Sequence, residues 1–317
     1  MSEQPQESLR KVQTEISKAV VGQEAAVNAL LVGLLCSGHV LLEGVPGVAK
    51  TLLVRSLAAC LDLETKRVQF TPDLMPADVT GTLVFNAANQ EFTFRPGPVF
   101  TNLLLADEIN RTPPKTQAAL LEAMQEHQVT VDGQSHQLPS PFMVIATQNP
   151  VEFQGTYSLP EAQLDRFLLK VQVPLPQREQ EIALLQRHAA GFDPQDLTTA
   201  GINKVADAAT LANAREAVLQ VQVSPEISGY IVDLCHATRT APSVALGVSP
   251  RGATALLATS RAWAWLNGRD FVTPDDVKAL ALATLEHRIT LHPQAQMEGV
   301  QAKTVLQSIL DATAVPR

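Results

Sequence analysis

Five short apolar runs punctuate the first part of the chain: "HVLLEG" at 39–44, "KRVQF" at 66–70, "NLLLADEI" at 102–109, "FMVIATQN" at 142–149 and "RFLLKVQV" at 166–173. Several are apolar throughout rather than alternating, as strands buried on both faces are. Helical stretches such as "KTLLVRSLAACL" and "PKTQAALLEAMQEH" lie between most of them. Strand and helix alternating in this way indicate an α/β fold around a five-stranded parallel sheet. Two inserts break the alternation. "GTLVFNAANQEFTFRPGP" reads as two strands around a polar turn, and "HQVTVDGQSHQLPS" carries Asp132-Gly133, a strong hairpin signal.

After "PLPQREQE" the strand signals thin out and the chain reads as helical. A boundary near 180–195 therefore divides an α/β core, 1–190, from an all-α second domain, 191–317. Thr273-Pro274-Asp275-Asp276 marks one helix start there, with an N-cap, a proline at the first position and acids in the first turn. The length, 317 residues, suits two domains, and 45% hydrophobic residues suffice for a sizeable core.

Lys plus Arg number 24 against 32 Asp plus Glu, a net charge of −8, which disfavours non-specific binding to nucleic acid or anionic membrane. The N-terminus lacks the apolar stretch of a signal peptide. The run "ALLVGLLCSGHVLLEGV" is broken by Ser37, Gly38 and His39, so it reads as helix, turn and strand, with no membrane span. Cys36, Cys60 and Cys235 are far apart in apolar surroundings and read as buried thiols of a reducing compartment, the cytoplasm.

The first strand leads into "EGVPGVAKTLLV". This is the layout of a phosphate-binding loop, G-x-x-x-x-G-K-[ST], with Ala49 where the second glycine belongs. Gly44 ends the strand, Gly47 permits the turn, and Lys50 and Thr51 open a helix whose N-terminus favours anions. Lysine suits the outer phosphates and the threonine hydroxyl suits magnesium. Alanine at 49 is tolerable if that position is right-handed and already helical. The loop thus proposes ATP and Mg2+, with Gly44, Val45, Pro46, Gly47, Val48, Ala49, Lys50, Thr51 and Leu52 around the phosphates.

"NLLLADEIN" runs into Asp107 and Glu108 at the C-terminal end of a strand, where parallel sheets place ligands. Asp107 is a candidate for the magnesium shell and Glu108 for polarising the attacking water. Gln148 and Asn149 end the next strand; Asn149 either orients water near a γ-phosphate or forms an ordinary turn before Pro150. In "SLPEAQLDRFLL", Ser158 and Glu161 have capping-box spacing. Arg166 follows, either pairing locally with Asp165 or Asp62, or projecting toward a neighbouring subunit. In "GVSPRGATALL", Ser249 suits an N-cap, Pro250 the first position, and Arg251 the first turn. A cation at that end needs an anion nearby or else open solvent.

Taken in order, "GVPGVAKT", "LLLADEINR", "ATQNP", "LPEAQLDRF" and "SPRG" resemble the MoxR family of AAA+ ATPases, as does the opening "AVVGQEAAVNALLVGLL". The resemblance covers nearly the whole chain and is tightest in residues 20–175. It implies an AAA+ P-loop core with a C-terminal lid, and the clade with a helix-2 insert and a pre-sensor hairpin, matching residues 81–98 and 129–138. Alanine before the Walker lysine is usual in that family. The resemblance also places Val21 and Gly22 against the adenine and makes Asn149 sensor 1, Arg166 an arginine finger acting in trans, and Arg251 sensor 2. It implies a hexameric ring, chaperone-like remodelling of a protein client, and a separate partner with a von Willebrand factor A domain.

Three other functions compete with an ATP-driven remodeller whose lid moves against its core. A nucleic-acid motor needs basic hairpins, and "VTVDGQSHQL" and "VFNAANQEFTF" contain no Lys or Arg. A nucleotide-gated scaffold that hardly turns over is disfavoured by the presence of Glu108 and Arg166. A metal-chelatase-type ATPase subunit stays open.

Overall fold

The computed structural model describes residues 5–87, 90–149 and 157–316. Ala88 and Asn89 of the expected turn, and Pro150 after Asn149, lie outside them. The core opens with α1 (Pro5–Ser17) and α2 (Glu24–Leu35), then β1 (Val40–Glu43), α3 (Lys50–Leu61), β2 (Thr65–Gln69) and α4 (Pro76–Thr80). The first hairpin is β3 (Gly81–Asn86) with β4 (Glu91–Pro96), followed by β5 (Leu103–Asp107) and α5 (Pro114–Glu126). The second is β6 (Gln128–Val131) with β7 (Gln134–Gln137), followed by β8 (Met143–Gln148), α6 (Glu161–Leu164), β9 (Leu169–Gln172) and α7 (Arg178–Ala189).

The five apolar runs form one parallel sheet in the order β2-β5-β8-β1-β9. Side chains alternate between its faces. Val40, Leu42, Leu103, Leu105, Met143 and Ile145 join one apolar cluster with α1, α2, α3 and the lid. Leu41, Leu104, Ala106, Val144 and Ala146 join a second, built with α5. Both faces of β1, β5 and β8 are covered, which is why those strands are apolar up to their C-terminal ends, whereas the edge strands β2 and β9 carry Lys66, Arg67, Lys170 and Gln172.

Both inserts are hairpins. Asp132 and Gly133 take φ of 48° and 76°, the pair of positive values a type I′ turn needs. Phe94 of the first hairpin stacks on His136 of the second, with ring centroids 3.9 Å apart. Near the far end of the first hairpin, Phe85 and Phe92 pair at 5.3 Å and are 53% and 67% exposed.

The lid comprises α8 (Ala208–Leu219), α9 (Pro225–Thr240), α10 (Pro250–Leu266), α11 (Pro274–Leu285), α12 (Pro293–Met297) and α13 (Ala302–Ala312). It is not wholly helical: β10 (Val244–Leu246) and β11 (Thr290–Leu291) pair antiparallel within it. Thr273 caps α11 as its sequence predicts, and Asp276 returns the bond to the Thr273 N–H at 2.8 Å. Helix α10 packs on α2, so the lid rests on the N-terminal helices. Among the described residues, the three cysteines are free thiols and no helix is long and apolar enough to cross a membrane.

Candidate functional site

The loop after β1 is shaped by close approach. A Cβ on Gly44 would come within 2.4 Å of the Val173 carbonyl, so only glycine lets β1 pass β9 there. Gly47 has φ of 84° and faces open space. Ala49 departs from the expected right-handed conformation: its φ and ψ are 60° and 23°. The chain must reverse between Val48 and α3, and a left-handed residue makes that turn; alanine accepts it at a cost of about 1–2 kcal/mol.

No side chain caps the first turn of α3, which contains no acid. Its N–H groups are therefore open to an anion. Lys50 is buried and donates to the Gly44 carbonyl at 2.8 Å. Burial lowers its pKa, while Asp107 and Glu108 pull it back up.

Asp107 ends β5 as expected. Its Oδ1 accepts from Thr147 Oγ1 at 2.6 Å, and its Oδ2 from Arg67 Nη2 at 2.7 Å. Glu108 is also left-handed, with φ of 57° and ψ of 50°, and such strain concentrates at functional sites. Its Oε2 accepts from Gln69 Nε2 at 2.6 Å and Arg111 Nη1 at 2.9 Å, and its N–H donates to Thr147 Oγ1 at 2.8 Å. Asn149 is buried at the end of β8, its carbonyl accepting from Asn110 Nδ2 at 3.5 Å.

These groups line one cavity of about 500 Å³. Pro46, Gly47, Ala49, Lys50, Thr51 and Leu52 form one wall, and Asp107, Glu108 and Asn149 the floor. Leu184 and His188 of α7 close it. Thr51 and Asp107 supply the hard oxygens magnesium prefers. Among the described residues no cluster of three His, Cys, Asp or Glu could cage a metal alone, so such an ion would complete its shell with phosphate and water oxygens.

Four predicted nucleotide-binding residues do not line this cavity, nor does Val45, which packs at the edge of the apolar cluster. Gly44 faces Val173, and Val48 is buried in that cluster. Val21 and Gly22 are also outside the cavity lining; Gly22 packs on Gln180, one turn of α7 before Leu184.

Arg166 and Arg251 do not reach the phosphate loop either. With Asp165 and Arg288 they line a separate cavity of about 340 Å³, beside the turn of Ser37, Gly38 and His39. Asp165 pairs with Arg288 and with Arg251, and Asp62 with Lys204. Neither acid takes Arg166, whose side chain has no hydrogen bond or ion pair among the described residues. The anion beside Arg251 is the Asp165 carboxylate at 3.6 Å. Two expected caps do not close. Pro160, not Ser158, is the N-cap of α6, so Glu161 has no partner hydroxyl. Ser249 is the N-cap of α10, but its side chain makes no capping bond.

The model of the ATPase family associated with various cellular activities (AAA) matches residues 39–169, and that of an AAA lid domain matches 236–309. The chain is 49% identical to YeaC of Bacillus subtilis (strain 168), over 97% of this chain and 95% of that protein. It is 40% identical to Chaperone MoxR1 of Mycobacterium tuberculosis, over 98% of this chain and 83% of that protein. The chain belongs to the MoxR family of AAA+ ATPases. A crystal structure from Cytophaga hutchinsonii superimposes on this MoxR-family chain with a TM-score of 0.90 and 40% identity, covering 99% of this chain and 96% of that one.

Sequence reasoning passed over Gln69, Arg67, Thr147 and Arg288. Thr147 carried a usable signal: a hydroxyl inside an otherwise apolar strand, fully buried, needs a partner. Arg288 carried none, because Asp165 is 123 residues away.

Proposed function

We propose that this MoxR-family chain is an ATP-hydrolysing, chaperone-like protein remodeller that works as a ring, hexameric as the family resemblance implies. In this reading the division falls near residue 190. Val21 and Gly22 meet the adenine, and residues 44–52 with Lys50 hold the phosphates. Thr51 and Asp107 would hold Mg2+, which would supply positive charge to offset the charge that develops on the phosphate. Glu108 leaves Gln69 to accept a proton from the attacking water, and Asn149 orients that water. Arg166 and Arg251 serve the nucleotide of a neighbouring chain.

One observation carries the reading: Arg166 and Arg251 share a cavity with each other and none with the phosphate loop. A complete site then needs two chains. The exposed Phe85 and Phe92 offer an apolar contact to a client, and a separate von Willebrand factor A domain partner belongs to the same reading. The test is steady-state ATP turnover against protein concentration for wild type, Glu108→Gln and Arg166→Ala. Specific activity that climbs with concentration and collapses in both variants is expected. A concentration-independent rate untouched by Arg166→Ala sinks the shared site.

A further inference from the structure

Arg288 lies buried in the seam between lid and core, with 4% of its side chain exposed. Its Nε donates to Asp165 Oδ1 at 2.7 Å, its Nη2 to the Phe167 carbonyl at 2.9 Å and its Nη1 to the Leu168 carbonyl at 3.3 Å. One guanidinium from the lid thus grips both ends of the turn that carries Arg166. Arg166 itself makes no side-chain bond among the described residues, so the turn is what places the base of its side chain.

The second oxygen of Asp165 faces Arg251 Nε at 3.6 Å. A single carboxylate therefore pairs with two guanidiniums, both from the lid, in the cavity that Arg166 also lines. The turn is also tied to the chain's own phosphate loop. Leu168 N–H donates to the His39 carbonyl at 2.9 Å, and β9 then runs beside β1 until Val173 N–H meets the Glu43 carbonyl at 2.7 Å, one residue before Gly44.

We propose that Asp165 and Arg288 are positioning residues for Arg166 and Arg251: their buried pair fixes the turn that presents Arg166 and holds Arg251 beside it, so that both arginines meet a neighbouring chain's phosphates as a unit. The proposal rests on the reading that Arg166 serves a neighbour. Removing Asp165 leaves Arg288 buried without its counter-charge and sets like charges against each other, which opens the turn.

The test uses the full chain at a concentration where wild-type activity is saturated. Asp165→Asn is expected to lower kcat for ATP hydrolysis by about 100-fold, the effect of misplacing a catalytic group by about 1 Å, while KM stays within about twofold. The phosphate-loop cavity contains neither residue, which is why KM holds. Arg288→Lys is expected to act in the same direction, since an ammonium cannot make the same fork of bonds.

An equimolar mixture of Asp165→Asn with Glu108→Gln should regain activity. Interfaces that join the intact loop of the first to the intact arginines of the second are complete, and a merely structural defect is not rescued this way. Wild-type kcat in both Asp165→Asn and Arg288→Lys, with Arg166→Ala inactive, overturns the positioning role alone. Absence of rescue, or loss of cooperative melting in both variants, also overturns it. A fully active Arg166→Ala instead removes the reading beneath it.

Discussion

Thr147 Oγ1 donates to Asp107 Oδ1 at 2.6 Å while accepting the Glu108 backbone N–H at 2.8 Å, so one hydroxyl holds both acids in register. Thr147→Val keeps the shape and removes both bonds. Stability should fall by about 1–3 kcal/mol, because the Glu108 N–H loses its partner. The Mg2+ concentration for half-maximal turnover should rise by about tenfold or more, as when a bond behind a metal ligand is lost. Thr147→Ser should restore most of both. A valine variant with wild-type magnesium dependence would falsify the assignment.

Arg67 occupies the other oxygen of Asp107, and half of its side chain is exposed. A cation held by Asp107, as proposed, would compete with it. Arg67→Ala should lower the Mg2+ requirement by about threefold, the scale of a weak surface ion pair. An increased requirement in a magnesium titration would mean that Arg67 helps to hold the site instead.

Ala49 bears a backbone conformation that glycine adopts freely. Ala49→Gly should stabilise the protein by on the order of 1 kcal/mol, the relief of the left-handed strain outweighing the looser unfolded chain. Urea unfolding would read this directly, and a lower midpoint for the glycine variant would contradict it.

His39 is buried, accepting the Val144 N–H at Nδ1 and facing the Met124 carbonyl through Nε2. Burial pushes its pKa down to about 4, and burial beside the Arg288 charge pushes His287 down to about 3. Unfolded histidine titrates near ~6.5, so the unfolded chain takes up protons first as pH falls. Stability is full above that value and is lost as pH drops toward 4. Together the two rings should contribute up to about 2.7 kcal/mol per pH unit near pH 5. Urea unfolding at a series of pH values tests the slope, and His39→Gln should halve it. A stability flat between pH 7 and 5 contradicts buried neutral rings.

The strands were legible because burial on both faces leaves runs such as "NLLLAD" without polar interruptions, and Asp107 stood out at the end of one. Asp132-Gly133 was legible because few other pairs accept two positive φ values in a row. The handedness of Ala49 was hidden, since it follows from the path of the chain into α3 rather than from the residue. Arg166 and Arg251 could be singled out, but not their separation from the phosphate loop: Arg166 lies before β9, at the start of β1 rather than at its end, and Arg251 comes with the lid. The partner of Asp165 was beyond any local pattern.

The apolar cluster that starts at Val40 and Leu42 on the sheet continues without a break to Leu256 and Val277 in the lid. Two parts that share one interior uncover apolar surface when they separate, so moving the lid off the core costs free energy in proportion to the area exposed. The opposite face holds a different cluster, and there the paired ribbons stand out with Phe85 and Phe92 toward water.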